Sequence, residues 1–300
     1  MENKKQYPTT KDKFNNIVAT FINDLESGVE PWKKSWSEKG LPKNFLSDNH
    51  YNGINLLTLM SSEFKDNRYL TFNQVKQLGG TIKKGEKSKP IFFLKPMEKE
   101  SLDDSGEKVI EKYFIMQSYQ VFNIEQTNDI KYEKTFNKNK NEVIENIEEF
   151  IDSIEIPIYS GSPAYSVDND CIFMPNINDF NDSSNYYSTY FHELSHSTGH
   201  PSRLNRNMDG RFGSKEYAYE ELIAELSSSF LCGEFGLDMK TTQHKEYLNS
   251  WINVLKEKPM ILFQVASSAS KSVKYLKENY EFKREQEQKK KRKLGPQIMK

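Results

Sequence analysis

Apolar residues in Lys11–Ser27 (KDKFNNIVATFINDLES) fall at Phe14, Ile17, Val18, Phe21, Ile22 and Leu25. That three-and-four spacing predicts a helix, which Gly28 and Pro31 end. Thr71-Phe-Asn-Gln74 has the form of a capping box and predicts a short helix stopping at Gly79-Gly80. Pro90–Lys95 (PIFFLK) and Tyr113–Phe122 (YFIMQSYQVF) are rich in aromatic and β-branched residues and predict strands, with the polar EKESLDDSGEK as a solvated loop between them. A polar stretch at 128–141 reads as a linker. Val143–Ile154 returns to helical spacing, and IPIYSGSPAYSVDNDCIFMP reads as short strands broken by Gly161 and Pro163. From Ser184 onward helical patterns dominate, up to a frayed, basic end. The resulting expectation is an α+β protein: a mixed α/β domain over 1–128, a linker over 129–141, a helix-rich domain over 142–282 and a flexible tail over 283–300.

Composition narrows the class. The chain has 300 residues, enough for two domains, and 13% aromatic residues to build cores despite 28% charged ones. No apolar run approaches the ~18 residues of a membrane span. The N-terminus lacks the apolar stretch of a secretory signal. Two cysteines far apart, Cys171 and Cys232, exclude a disulfide framework and fit a reducing cytoplasm. The net charge of −1 hides an asymmetry: 65–99 carries nine basic and three acidic residues, whereas 141–280 carries 11 basic and 21 acidic. A basic front points to an anionic partner.

Phe191–His200 reads FHELSHSTGH and holds three of the five histidines. His192 and His196 are four apart, so on a helix they share a face one turn apart and can ligate one ion. Glu193 is then placed as the general base of an H-E-x-x-H metallopeptidase. A divalent ion held there would lower the pKa of its water to about 7 and polarise the scissile carbonyl; Glu193 would take the proton as that water attacks a peptide bond. Tyr187, Tyr190, Phe191 and Leu194 supply the apolar side of this helix, Asp182, Ser183 or Ser184 a cap, and Gly199 the end. The competing reading is a surface helix that happens to carry histidines.

Three residues compete for third ligand. His200 would lie ~12 Å along an unbroken helix from His192, too far to share the ion, and is better placed to cap the helix end. Downstream, SKEYAYEELIAELSSSFLCGEFG predicts a second helix with Glu221 and Glu225 four apart on one face. In gluzincins a glutamate on a second helix is the third ligand, and an acidic residue one turn on bonds a ligand histidine; Glu221 and Glu225 suit those roles, with Glu220 the rival ligand. Ser227, Ser228 and Ser229 would let this helix pack closely on another. Two imidazoles and a carboxylate suit Zn2+, with Mn2+ and Fe2+ also accommodated. Tyr165, Tyr217 and His244 are the candidates for stabilising an oxyanion.

FHELSHSTGHPSRLNR followed by GRFGSKEYAYEELIAELSSSFLCGEFGL resembles the C-terminal metallopeptidase domain of ArdC-type antirestriction proteins. PWKKSW, YNGINLLTL, YLTFNQVKQLGGTIKKGEKSKPIFFLK and YQVFNIEQT resemble that family's N-terminal single-stranded-DNA-binding domain, which also occurs in plasmid primases of the TraC kind. The resemblance runs over roughly 8–250; Ser197 departs from it, where an aromatic residue is expected. It implies a gluzincin-like zincin domain, single-stranded DNA as partner, protection of incoming mobile-element DNA, and a restriction enzyme or other DNA-bound protein as substrate. It leaves open a non-catalytic protector with a structural metal, or a protease of DNA-bound proteins.

A single-strand binder needs cations along the phosphates and aromatic faces for bases. The expected contacts are Trp32, Trp36, Tyr51, Asn52, Arg68, Lys76, Lys83, Lys84, Lys87 and Lys89, with TIKKGEKSK as a basic turn around Gly85. Any one of these aromatics could instead be core, and KKKRK at 289–293 could add phosphate contacts.

Overall fold

A computed structural model describes residues 8–33, 40–102, 107–133, 140–211, 214–237, 239 and 245–293. The front half opens with helix α1 (Thr10–Glu26), started by a reciprocal cap in which Thr9 accepts from the Asp12 amide while Asp12 accepts from Thr9. Strand β1 (Lys43–Asn44), helix α2 (Gly53–Met60), strand β2 (Arg68–Thr71), helix α3 (Phe72–Gln77) and strand β3 (Thr81–Ile82) follow. The Thr71–Gln74 capping box forms as the sequence predicts. Strands β4 (Lys89–Leu102), β5 (Lys108–Asn123) and β6 (Thr127–Asn128) complete this half. The main sheet has the order β1-β2-β5-β4, and β3 pairs with β6.

The strands β4 and β5 run well past their predicted ends. Their antiparallel register is continuous from Lys89↔Val121 to Leu102↔Lys108, so much of the expected solvated loop is a two-stranded arm. Its polar residues pair across the strands, Glu98 with Lys112 at 3.7 Å and Glu100 with Lys108 at 3.5 Å. Cross-strand charge pairs of this kind suit an exposed ladder.

The back half contains helix α4 (Lys140–Asp152), strands β7 (Ile158–Ser160), β8 (Ala164–Ser166) and β9 (Cys171–Met174), and helices α5 (Ser183–Ser197), α6 (Lys215–Phe235), α7 (Lys245–Glu257) and α8 (Met260–Lys293). The small sheet has the order β7-β9-β8, which leaves β8 on an edge. The frayed end expected from 283 onward is instead the continuation of α8 as far as Lys293. Its buried residues Leu262, Val265, Ala266, Ala269, Val273 and Leu276 recur three and four apart and anchor the helix. No helix among the described residues is long and apolar enough to cross a membrane.

The two halves share one core. Trp32 is fully buried between Phe21 and Trp251, with ring centroids at 5.5 and 5.6 Å, and its carbonyl accepts the Ser229 hydroxyl at 2.6 Å. Phe14 on α1 meets Phe92 on β4 and Phe263 on α8. The start of α2 rests on α8: the Gly53 amide donates to Ser270 at 2.7 Å. Gly53 has φ +55°, a conformation open to glycine without a Cβ penalty.

Candidate functional site

Helix α5 begins where the Asp182 side chain accepts from the Asn185 amide at 2.9 Å. Its apolar side, Tyr187, Tyr190, Phe191 and Leu194, is buried, and this turns the His192–His196 face toward α6. The two helices are held close by small side chains, as the serine run suggested: Ser228 on α6 donates to the Ser188 carbonyl on α5 at 2.8 Å. α5 ends just before Gly199, where a Cβ would fall 2.6 Å from the Met208 sulfur and 3.0 Å from the Arg206 guanidinium. That glycine admits the loop carrying Arg206.

The donors meet where α5 faces α6. The Nε2 atoms of His192 and His196 are 3.1 Å apart, and the Glu221 carboxylate brings Oε2 to 3.5 Å from the first and Oε1 to 3.6 Å from the second. A tetrahedral ion with bonds of about 2.1 Å has ligand atoms about 3.4 Å apart, so this triangle has the size of one metal's coordination face. Among the described residues, these three form the cluster able to hold an ion, their ligand atoms all within 4.8 Å of one another. Glu193 is buried beside them, and its charge favours the protonated form of both imidazoles.

Electrostatics in the site favour a cation. Burial alone would lower the pKa of His196, but its bond to Glu220 and the charge of Glu221 push it up to about 9. His192 is likewise raised against its burial, chiefly by Glu221. Burial would raise Glu221, yet His192 and His196 hold it down to about 2, helped by a hydrogen bond from Tyr217 one turn earlier. A pocket that stabilises positive charge on buried imidazoles is one in which a divalent ion replaces protons at little electrostatic cost. The donor set therefore fits a metal.

Glu220 takes a different part from the one weighed for it. Its Oε1 meets Nδ1 of His196 at 3.2 Å, leaving Nε2 to face the cluster. Arg206 grips Glu220 through two bonds of 2.8 and 2.6 Å and spends its other N–H groups on Thr198, Ser272 and the Ser195 carbonyl. All five donors of the guanidinium are thus used. Glu225, expected to bond a histidine, is fully buried with an oxygen 3.9 Å from Nδ1 of His192, longer than a hydrogen bond. His200 stays outside the cluster, and its Nδ1 accepts the Ser202 amide at 3.2 Å, capping the following turn rather than α5. Of the three oxyanion candidates, Tyr217 is at the site. His244 lies outside the described residues. Tyr165 is committed elsewhere: its hydroxyl donates to Asp170 at 2.6 Å and accepts from Arg203 at 2.9 Å. Burial and the Asp170 carboxylate push that phenol's pKa up. Arg203 also donates to the Ser197 carbonyl at 2.6 Å, locking β8 to the end of α5.

The residues expected to contact DNA separate into three groups. Trp32 is core, so the stacking role expected of it is overturned. Arg68 is a structural cation: Asp66 holds it in a bidentate pair, the Glu133 carbonyl accepts from it at 2.7 Å, and it sits against the rings of Phe45 and Tyr132. Tyr51 is half-buried edge-on to Tyr69, and Trp36 lies outside the described residues. The surface retains Asn52, Lys76, Lys84 and Lys87 exposed and Lys89 half-buried. Lys76 lies over the exposed Phe72 ring at 4.8 Å, and the exposed Lys83 donates to the Glu125 carbonyl at 2.6 Å. Sequence reasoning missed the arm, where Phe93, Tyr113, Phe114 and Tyr119 stand exposed.

Residues 11–122 match the family model of the N-terminal domain of anti-restriction factor ArdC, and residues 145–268 that of a zincin-like metallopeptidase. A DNA primase TraC of Escherichia coli is 35% identical over 89% of the chain, which spans 20% of that primase's length. Protein y4eC of Sinorhizobium fredii is 29% identical over 87% of the chain and 90% of its own length. Crystal structures of antirestriction protein ArdC from plasmid R388 superpose on 89% of the chain and 97% of their own. The metal-free form gives a TM-score of 0.74 at 29% identity, and the Mn(II)-bound form 0.72 at 28%.

Proposed function

Because the chain belongs to the ArdC-type antirestriction proteins, joining an ArdC N-terminal domain to a zincin-like metallopeptidase domain, we propose that it holds single-stranded DNA and hydrolyses peptide bonds of a protein bound there. The observation that carries this reading is the triangle of His192, His196 and Glu221 with Glu193 buried alongside. A divalent ion at that triangle, Zn2+ first and Mn2+ or Fe2+ by the same donors, supplies Lewis acidity. Glu193 accepts the proton of the attacking water and returns it to the leaving amine. Arg206, through Glu220, keeps the His196 ring oriented, and Glu225 lies behind His192. Tyr217 presents its hydroxyl beside Glu221, at the place from which a developing oxyanion can be stabilised. The free edge of β8, tied to α5 through Arg203, is where an extended peptide can pair.

The partner class follows from the same parts. A restriction enzyme or other DNA-bound protein is the substrate, because tethering on the strand raises its effective concentration at the site. Elemental analysis should find one divalent ion per chain in the wild type and none in His192→Ala. Glu193→Gln should keep the ion, lose peptide cleavage and lose protection of incoming DNA. Full protection by Glu193→Gln would show that coverage of the strand suffices without proteolysis.

A further inference from the structure

Beyond Leu94 and Met116, strands β4 and β5 pair with each other and leave the body. The last anchors are Asn55, which exchanges two bonds with the Phe92 backbone at 2.7 and 2.8 Å, Thr10, whose hydroxyl meets Ser118 at 3.3 Å, and Met116, which packs against the core. From Lys95↔Ile115 to Leu102↔Lys108 the arm is about 23 Å long at the usual rise per residue, and Phe93, Tyr119 and the half-buried Lys89 lie at its base, beside the buried Ile91 and Val121. Alternation gives it two faces of different chemistry. One carries Leu94, Pro96, Phe114 and Ile110, and its charges are spent on the Glu98–Lys112 and Glu100–Lys108 pairs. The other carries Phe93, Tyr119 and Tyr113 together with Lys89, Lys95 and Lys99, and those lysines make no ion pair among the described residues. Phe93 and Tyr119 meet edge to face at 5.6 Å, yet each is 49% exposed, and Tyr113 is 42% exposed. Rings that bury so little of themselves add nothing large to the core.

We propose that this second face of the arm is a stacking platform for single-stranded nucleic acid, with Phe93, Tyr113 and Tyr119 under the bases and Lys89, Lys95 and Lys99 along the phosphates. It rests on the reading above that the front half holds a single strand, and it places that strand on the arm. Charge chooses the occupant. A polyanion satisfies three ammonium groups opposed on this face by Glu111 alone, whereas a second copy would bring its own lysines against them. Rings interleaved with cations match the alternation of bases and phosphates, and stacking tolerates any base sequence. Pro96, which lacks an N–H, and the flanking lysines also discourage strand addition along the arm.

The test compares two surface triples in the full chain, with matched thermal melts as the folding control. Phe93→Ala/Tyr113→Ala/Tyr119→Ala removes the rings of the proposed face; Leu94→Ala/Ile110→Ala/Phe114→Ala removes as much apolar surface from the other. Binding of labelled oligo-dT should weaken about tenfold or more in the first and stay within about twofold in the second. An abasic oligomer of the same length should bind both triples alike. Lys89→Gln/Lys95→Gln/Lys99→Gln should lower the slope of log affinity against log salt, which the ring triple leaves unchanged. Wild-type binding with both triples and the lysine variant indistinguishable from it would overturn the platform and leave single-strand binding by the chain intact. Failure of the wild type to bind oligo-dT at all would overturn the broader reading first. Dissociation of a dimer on loss of the rings, with oligo-dT affinity unchanged, would assign the face to self-association instead.

Discussion

The candidate metal site between α5 and α6 and the arm of β4 and β5 depart from the ordinary sorting of side chains in opposite directions. In the first, Glu193, Glu220, Glu221 and Glu225 are buried among histidines, and Glu225 has no exposed surface. In the second, phenylalanine, tyrosine and isoleucine stand in water along a thin ribbon. Burying carboxylates is costly unless partners answer them, so every group in the first region is constrained by a neighbour. Exposed rings impose no such demand on their surroundings, so the second region tolerates change in the free protein and awaits something to cover it. Fold stability should therefore respond strongly at the centre and weakly on the arm, while ligand binding responds at both.

The largest effect should separate chemistry from architecture. Glu193→Gln should lower peptide cleavage by about 10²–10⁴-fold, the range for loss of a general base, with metal content and melting temperature unchanged. A parallel fall in metal content would mean that Glu193 is structural, and the contrast with the arm would lose its catalytic half. Next, Arg206→Met should cost roughly 3–5 kcal/mol in denaturant unfolding, because Glu220 would remain buried without its bidentate partner. Metal affinity should fall some 10–100-fold in the same variant as the His196 ring is freed.

A smaller, pH-dependent effect tests the lock between β8 and α5. The bond from Arg203 holds the Asp170 carboxyl down to about 2, below its ordinary value of 3.8. A carboxyl lowered by folding stabilises the native state above its unfolded pKa and ceases to do so as pH falls through the folded one. Asp170→Asn should therefore melt below the wild type from neutrality down to about pH 4, and the gap should close near pH 2. The difference will be modest, since Asp170 is 37% exposed and water screens the pair. Smallest of all, Phe114→Ser on the arm should change unfolding free energy by no more than about 0.5 kcal/mol. A loss of several kcal/mol there would show that the arm packs on the body in solution.

Local rules made part of this readable in advance. The four-residue spacing of His192 and His196, the repeat of Glu221 and Glu225, and the Thr71–Gln74 cap are each set within one or two helical turns, and the structure forms the helices and the cap as the spacing implies. Glu220 and Arg206 were out of reach because their partnership joins a helix to a loop, and neighbouring glutamates look alike until the helix is rotated into place. The arm was misjudged for a different reason. The enrichment of PIFFLK and YFIMQSYQVF in aromatic and β-branched residues marked them as strands, but the charged residues between them carry no such signal and read as a loop. The end of α8 misled through its lysines, although the apolar repeat of Leu262, Val265, Ala269, Val273 and Leu276 was present in the sequence.

The burial of Trp32 against Trp251, with its carbonyl bonded to Ser229, bears on whether either half can stand alone. A recombination event that cut near residue 130 and kept the first piece would strand a tryptophan, an aromatic helix and the base of α2 without the surfaces that cover them. The match to the primase TraC likewise extends over 293 residues spanning both halves. What looks modular in its chemistry therefore depends on a core that neither half completes alone.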